Sequence, residues 1–537
     1  VDAWVLEVGE GVDPDDDAWT ELARGAGEAE GLLASWDPST VSFDPALSIG
    51  DHPWGDDQVD REERVNRNTV TFKLTVTDSQ GRSARMRRAV YVIGDPDALP
   101  GFPLKIGPSL EASPNLIDLD GDGVLDILFA DADGFVHAIR GDGSALPGWP
   151  VRLGTLPEVD PDNPLNHLAA PGISAIGAQL SSSIGAQLSS SIVGSPAAGD
   201  LDGDGDVEVV VGTLRGALYA LDHQGQVLSG FPVQQRPKAA TNETRLWDDG
   251  FFSSPALGDM DGDGDLEIVI GGMDQLVYAV HHDGSDLTGW PVCACWGTDG
   301  AADPDSLSAG SRIVSSPALG DLDGDGVLDV IIGSQETLSS TTGPIYAISG
   351  LGTSDARGAF LPGWPQSVFG AYTQALPYVG EGVPASPALA DVDGDGALEL
   401  SAHTLAGDLP VFKPDGSLLW EAVLAADGFG PGSNMSDASL FPLINSSSFG
   451  DLDGDGVVDL VTGGVGAGYA ISALQDGKRM AFDHGVGAWS GQTGQYLDGW
   501  PRVIEDLQFF MNPAIADLDD DGKPEVISGS AGFVVHA

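Results

Sequence analysis

Seven copies of one acidic loop punctuate the chain, and their residue types and spacing specify cation chemistry. They begin at Asp118, Asp200, Asp259, Asp321, Asp391, Asp451 and Asp517. The fourth reads Asp321-Leu322-Asp323-Gly324-Asp325-Gly326-Val327-Leu328-Asp329, with carboxylates at positions 1, 3, 5 and 9 and Gly at position 6. Alternate side chains of such a turn point inward, the glycine permits the sharp bend, and the position-7 carbonyl adds an oxygen. This is a donor set for a hard cation such as calcium.

The candidate ligands are Asp118, Asp120, Asp122, Val124 and Asp126 in the first loop, and Asp200, Asp202, Asp204, Asp206 and Glu208 in the second. The third offers Asp259, Asp261, Asp263, Asp265 and Glu267, and the fourth Asp321, Asp323, Asp325, Val327 and Asp329. The fifth has Asp391, Asp393, Asp395, Ala397 and Glu399, the sixth Asp451, Asp453, Asp455, Val457 and Asp459, and the seventh Asp517, Asp519, Asp521, Lys523 and Glu525. Position 7 contributes through its carbonyl, and the Lys523 ammonium is expected to weaken the last site. Seven copies in register, 59 to 82 residues apart, set the pattern apart from ordinary Asp/Gly turns.

The flanks exclude an EF-hand, which needs helices and a Glu at position 12. Runs such as Val330-Ile331-Ile332-Gly333 follow the loops, and Ser315-Ser316-Pro317-Ala318-Leu319 precedes the fourth. Both read as strands, so each loop closes a hairpin. A third strand follows at Leu218–Leu221, Val277–Val280 and Ile345–Ile348. A fourth is expected at the Leu-x-Gly-Trp-Pro element of 146–150, 287–291, 361–365 and 497–501, since proline suits an outer strand. The fifth copy has Leu418-Leu419-Trp420-Glu421 instead, and the sixth carries an insertion near 466–483.

Four strands repeated every roughly 60 residues are a β-propeller blade. The expected fold is all-β: a seven-bladed propeller of four-stranded blades over 96–537, preceded by a small β-sandwich over 1–95. The seventh copy stops one strand short, while Leu99-Pro100-Gly101-Phe102-Pro103-Leu104 copies the fourth-strand pattern ahead of the first loop. Segment 98–105 is therefore expected to complete the last blade and remove exposed strand edges. The repeated tryptophans read as packing between blades.

Repeats of the form Ser-Pro-Ala-Leu-Gly-Asp-Leu-Asp-Gly-Asp-Gly-Val-Leu-Asp-Val resemble the FG-GAP/VCBS repeats of the integrin alpha-subunit propeller and of secreted bacterial proteins, over about 98–537. The resemblance implies calcium held by the loop carboxylates between the first two strands, at about seven sites. Residues Ala3–Val8, Trp19–Ala23, Thr69–Val76 and Arg85–Val92 alternate apolar and polar, with a turn at Asp78–Gly81, and read as an immunoglobulin- or fibronectin-type module.

Acidic residues number 82 against 23 basic, for a net charge of −59. The excess repels nucleic acid and anionic membranes. No apolar run of about 18 residues exists to span a bilayer. Cys293 and Cys295 read either as a disulfide or as two small loop residues. Calcium sites of this class fill where calcium is millimolar, which points outside the cell. The long connections on the face opposite the acidic loops carry Trp247, Phe251, Phe252, Trp296, Tyr372, Tyr378, Phe429 and His167. They are the expected surface for an extracellular protein or glycan.

The reading is a secreted or cell-surface binding or adhesion module, not an enzyme. Alternatives are the non-catalytic C-terminal region of a larger secreted enzyme, such as a subtilisin-like protease, and a propeller-type polysaccharide lyase. A lyase needs a base beside charge-neutralising cations, and no paired Ser/His arrangement stands out in the sequence.

Overall fold

The computed structural model describes residues 2–11, 14–15, 18–29, 31–37, 69–91, 101–102, 104, 112–153, 191–236, 250–296, 300, 312–336, 342–369, 382–403, 408–423, 440–441, 445–466, 484–503, 512–518, 522–529 and 535–536. The chain divides into two compact units, Val1–Leu99 and Pro100–Ala537.

Unit 1 is, among the described residues, one antiparallel sheet of β1 (Ala3–Glu10), β2 (Thr20–Ala26), β3 (Thr69–Thr77) and β4 (Ser83–Tyr91), ordered β2-β1-β3-β4. The turn between the last two strands sits where the sequence placed it, and Asp78 Oδ1 accepts the N–H groups of Gln80 and Arg82 at 2.9 Å each. A sandwich needs a second sheet, and residues 38–68 lie outside the described residues.

Unit 2 is a β-propeller of antiparallel sheets that follow one another along the chain. The first four are Asn115–Ile117, Asp126–Ala130, Phe135–Ile139 and Val151–Arg152; Ala197–Gly199, Glu208–Gly212, Ala217–Leu221 and Val233–Gln234; Ala256–Gly258, Glu267–Gly271, Leu276–Val280 and Val292–Cys293; and Ala318–Gly320, Asp329–Gly333, Thr342–Ile348 and Gln366–Phe369. The fifth is Ala388–Ala390, Glu399–Ser401, Asp408–Phe412 and Leu418–Val423. The sixth holds Ser448–Gly450, Asp459–Gly466, His484–Ser490 and Arg502–Val503, with Leu440–Phe441 added beside the second of these. The last has three described strands, Ala514–Ala516, Glu525–Gly529 and Val535–His536.

The fourth strand is not where the sequence reading put it. Gly-Trp-Pro is a turn, with cis peptides at Trp149-Pro150, Phe231-Pro232, Trp290-Pro291, Trp364-Pro365 and Trp500-Pro501, and the strand begins after the proline. The glycine of each turn has positive φ, 91° at Gly148 and 92° at Gly363, and proline has no N–H to give a ladder. The tryptophans do join neighbouring sheets. Nε1 of Trp149, Trp290 and Trp364 donates to the carbonyls of His223, Gly350 and Pro414 in the next sheet, at 3.1, 2.9 and 2.8 Å. In the fifth sheet Trp420, on the strand itself, reaches Gly491 O in the same way at 2.5 Å.

Sheets meet closely because the repeat keeps glycine where they touch. A Cβ on Gly148, Gly230, Gly289 or Gly363 would lie 1.9–2.3 Å from a carbonyl of the following sheet's turn. Gly101 stands in the same relation to Asp142 O, at 1.9 Å, so the Gly101-Phe102 segment lies on the first sheet as each Gly-Trp-Pro lies on its successor. On the inner strands a hydrogen-bond ladder runs along the chain. Ser113 N–H donates to Ser195 Oγ, Ser195 to Ser254, Ser254 to Ser316, Ser316 to Ser386, Ser386 to Ser446, and Ser446 to Asn512 Oδ1, at 2.8–3.1 Å. Branched and aromatic residues of the second and third strands fill the space between sheets, among them Val269, Val277, Val330, Ile332, Tyr346 and Ile348. Cys293 and Cys295 form a disulfide and are buried.

Backbone contact between sheets predicts a sharp asymmetry among glycines. A Cβ on Gly333 would lie 2.3 Å from Val383 O, whereas one on Gly141 meets nothing within 4 Å. Gly333→Ala is expected to lower unfolding free energy by about 1–3 kcal/mol, and Gly141→Ala to change it by less than about 0.5 kcal/mol. Urea denaturation followed by tryptophan fluorescence checks both.

Candidate metal centres

Each acidic loop connects the first and second strands of its sheet. The position-9 residue opens the second strand, and the pleat turns its side chain inward. Asp126, Glu208, Glu267, Asp329, Glu399 and Asp459 are all 5% exposed or less. In every copy one oxygen of this carboxylate accepts the position-2 N–H, from Leu119, Leu201, Met260, Leu322, Val392, Leu452 and Leu518, at 2.8–3.2 Å. The position-1 carboxylate accepts the position-6 glycine N–H in every copy, also at 2.8–3.2 Å. Position 5 accepts the position-7 N–H from Val124, Asp206, Asp265, Val327, Ala397 and Val457, at 2.8–3.0 Å. These bonds fix the turn and gather the carboxylates. Oxygens of Asp118, Asp120 and Asp122, of Asp200, Asp202 and Glu208, of Asp259, Asp261 and Asp263, and of Asp321, Asp323 and Asp325 lie within 4.8 Å of one another. In the seventh loop Asp517, Lys523 and Glu525 are described, whereas Asp519 and Asp521 lie outside the described residues.

The electrostatics of these clusters is unfavourable without a cation. Burial pushes the Asp329 carboxyl up to about 7 and Asp459 to about 6, with the neighbouring loop aspartates adding to the rise. Burial raises Asp126, Glu208, Glu267 and Glu399 as well. Glu399 is fully buried, and while its Oε2 accepts the Val392 N–H at 3.0 Å, its Oε1 has no partner. Asp200 Oδ1 in the second loop is likewise screened and unpaired. A buried carboxylate oxygen left without a donor is costly, and these are the oxygens a cation could coordinate.

The sequence reading missed the basic side chains that face several loops. Arg140 Nη2 lies 2.5 Å from Asp120, Lys413 Nζ 2.8 Å from Asp393, and Arg357 Nη1 2.6 Å from Asp323. Arg140 and Lys413 directly follow the third strands of their sheets, a signal visible once those strands are aligned. Arg357 sits in a turn specific to the fourth sheet and has no counterpart to align. Arg140 opens the turn that follows the third strand, in which Asp142 Oδ1 accepts the Ser144 N–H at 2.9 Å.

The structure brings together a Ser and a His that do not stand out as a pair in the sequence. His403 Nε2 bonds Ser447 Oγ between the fifth and sixth sheets. His403 takes the register of Gly212, Gly271 and Gly333, and Ser447 that of Pro196, Pro255 and Pro317, so two departures from the repeat meet. Both residues are buried, and burial lowers the imidazole to about 3, holding it neutral.

On the opposite face Phe251 is 1% exposed and packs edge-on against Tyr278 at 5.6 Å, so it is core and not ligand surface. Trp296 is 39% exposed. Trp247, Tyr372, Tyr378, Phe429 and His167 lie outside the described residues.

Residues 259–332 match the profile of the FG-GAP-like repeat, from the third acidic loop through the second strand of the fourth sheet. That stretch is an FG-GAP-like repeat. Its hairpin, third strand and following loop are the geometry described above, and the same spacing recurs along unit 2. No curated protein matches the chain. Among solved structures the chain is similar to BamB from Moraxella catarrhalis, at 13% identity over 87% of this chain and 90% of that one, with a TM-score of 0.41. It is also similar to Sqt1 of Saccharomyces cerevisiae, at 12% over 87% and 92% with a TM-score of 0.43, and to the quinohemoprotein alcohol dehydrogenase of Comamonas testosteroni, at 12% over 78% and 64% with a TM-score of 0.44.

The unpaired Glu399 oxygen predicts a reversal of sign. Saturating calcium is expected to raise the melting temperature of the parent protein, because an ion held only by the folded state stabilises it. Glu399→Gln should melt at or above the parent in chelator and below it in calcium. A variant that falls by the same amount in both conditions contradicts a metal-facing role for Glu399; differential scanning calorimetry makes the comparison.

Proposed function

We propose that this chain is an extracellular, calcium-stiffened binding module with no catalysis of its own. The observation that carries the reading is the buried position-9 carboxylate, raised by desolvation and, at Glu399, left with an oxygen that nothing satisfies. Calcium accepts several carboxylate oxygens in a flexible shell, which suits a loop offering four carboxylates and a carbonyl. Bound calcium would offset part of the −59 charge and lock each hairpin. Sites of modest affinity fill where calcium is millimolar, which supports a working environment outside the cell.

Seven such sheets closing into one ring is part of the same proposal. The Gly101 segment occupies the first sheet's flank as a preceding blade's turn would, and the last described sheet has three strands. Leu116, Leu125 and Leu518 are 64%, 56% and 56% exposed, whereas Leu119, Leu201 and Leu322, which share the loop register of Leu518, are 3% exposed or less. Closure would cover these three side chains and let Asn512 continue the ladder to Ser113. Segment 98–105 then completes the last blade. Removing residues 1–107 should lower stability far more than removing 1–95, and equal thermal stability of the two truncations would end the closure proposal.

The partner is an extracellular protein or glycan, met on the face opposite the calcium loops. The antiparallel strand order directs the described ends of the fourth-to-first connections to that face, and Trp296, just after a fourth strand, is exposed. Unit 1 serves as an immunoglobulin-type accessory module. Among the described residues no helix is long and apolar enough to cross a membrane. Screening against arrayed glycans and extracellular proteins should give hits that Trp296→Ala weakens by about tenfold or more, as anchoring aromatics do. Hits indifferent to every substitution on that face would relocate the surface.

A further inference from the structure

The third loop differs from its neighbours in donor chemistry. His281 directly follows the third strand of its sheet, and its Nδ1 lies 3.0 Å from Glu267 Oε1. Glu267 is fully buried, and its Oε2 is already committed to the Met260 N–H at 2.8 Å. The imidazole therefore stands at the one oxygen this carboxylate has free. One ligand atom each from Asp261, Glu267 and His281 lies within 4.8 Å of the others. To sit about 2.0–2.2 Å from a common centre the three atoms need only draw somewhat closer together.

A second imidazole points to the same loop. His282 Nδ1 is screened from solvent, makes no hydrogen bond, and lies 3.1 Å from Asp265 Oδ2. The register of His281 holds Arg140 in the first sheet, Asp222 in the second, Ser349 in the fourth, Lys413 in the fifth and Ser490 in the sixth. Arginine and lysine carry permanent charge and donate only, so they neutralise a loop without ligating a metal. Among the described residues only the third loop brings an imidazole nitrogen onto its position-9 carboxylate. The second has one histidine nearby, His223, whose Nδ1 lies 3.5 Å from Asp206 at position 7.

We propose that the third loop is a mixed nitrogen–oxygen site for a borderline divalent metal of the zinc class, held by Asp261, Glu267 and His281, while the other loops take the hard cation. This rests on the reading that the loops bind cations, and it names the selectivity of one of them. Imidazole is a good ligand for first-row divalent ions and a poor one for calcium, so a single nitrogen donor shifts preference in that direction. His281 Nδ1 faces the carboxylates, and a bound ion would replace the hydrogen bond that now joins it to Glu267.

Isothermal titration of zinc into the full chain, stripped of metal and then held in 5 mM calcium, tests the site. The expected result is one tight equivalent that survives the calcium excess. His281→Gln removes a direct ligand and should weaken that equivalent by about 100-fold or more, beyond the roughly 10–100-fold lost with an outer-shell partner. His281→Arg, which recreates the arginine of the first loop, is a second variant that keeps the fold. Both variants should retain the rise in melting temperature that calcium gives the parent. No zinc binding in calcium, or equal zinc binding by both variants, overturns the proposal. Zinc binding that depends on His281 in a protein whose melting ignores calcium would sustain it and refute the calcium reading of the other loops.

Discussion

One inward-facing carboxylate per hairpin, buried in the first six, governs the rest of unit 2. The position-9 Asp or Glu opens the second strand, so the pleat directs it inward, and its bond to the position-2 N–H ties the loop to the sheet. The second oxygen has few partners. Asp329 finds Gly350 N–H at 3.3 Å, Glu267 finds His281, and Glu399 finds none. Desolvation and the neighbouring aspartates oppose ionisation at the same point. A turn of this kind folds comfortably only around positive charge. Arg140, Arg357 and Lys413 supply part of it from within the protein, each against position 3 of its own loop.

The second constraint is close approach between sheets. Small inner-strand residues let consecutive Ser-Pro-Ala segments touch, and the ladder from Ser113 to Asn512 converts that proximity into hydrogen bonds. At the outer edge the Gly-Trp-Pro turn sets its glycine against a carbonyl of the next sheet and its indole N–H on another. Loop, ladder and turn occupy different radii of the same interface. Under the proposed calcium reading, an ion that stiffened the hairpin would also steady the surfaces on which the neighbouring sheet packs.

Much of this was legible in the sequence because the repeat writes it many times. The acidic register, the β-branched second strand and the Tyr-containing third strand each fell within about two residues of their observed places. The outer strand was misjudged because Leu-x-Gly-Trp-Pro is apolar and regular, yet its glycine needs positive φ and its proline lacks a donor. The partners Arg357 and His281 come from elsewhere in the blade, so no local pattern announces them as part of a loop. His403 and Ser447 break the repeat at separate positions, and only the pairing of the fifth and sixth sheets shows that the two breaks meet. The added strand Leu440–Phe441 lies in a connection with no repeat to compare.

The central claim is that the acidic hairpins hold divalent ions, one to each. Native mass spectrometry of the folded chain, stripped of metal and then equilibrated with millimolar calcium, counts them directly. About six to seven calcium ions per chain is the expected stoichiometry, the third loop being the one that prefers a zinc-class ion and the Lys523 loop the weakest of the rest. A folded chain that retains no calcium above the nonspecific adducts of an acidic control protein would contradict the account.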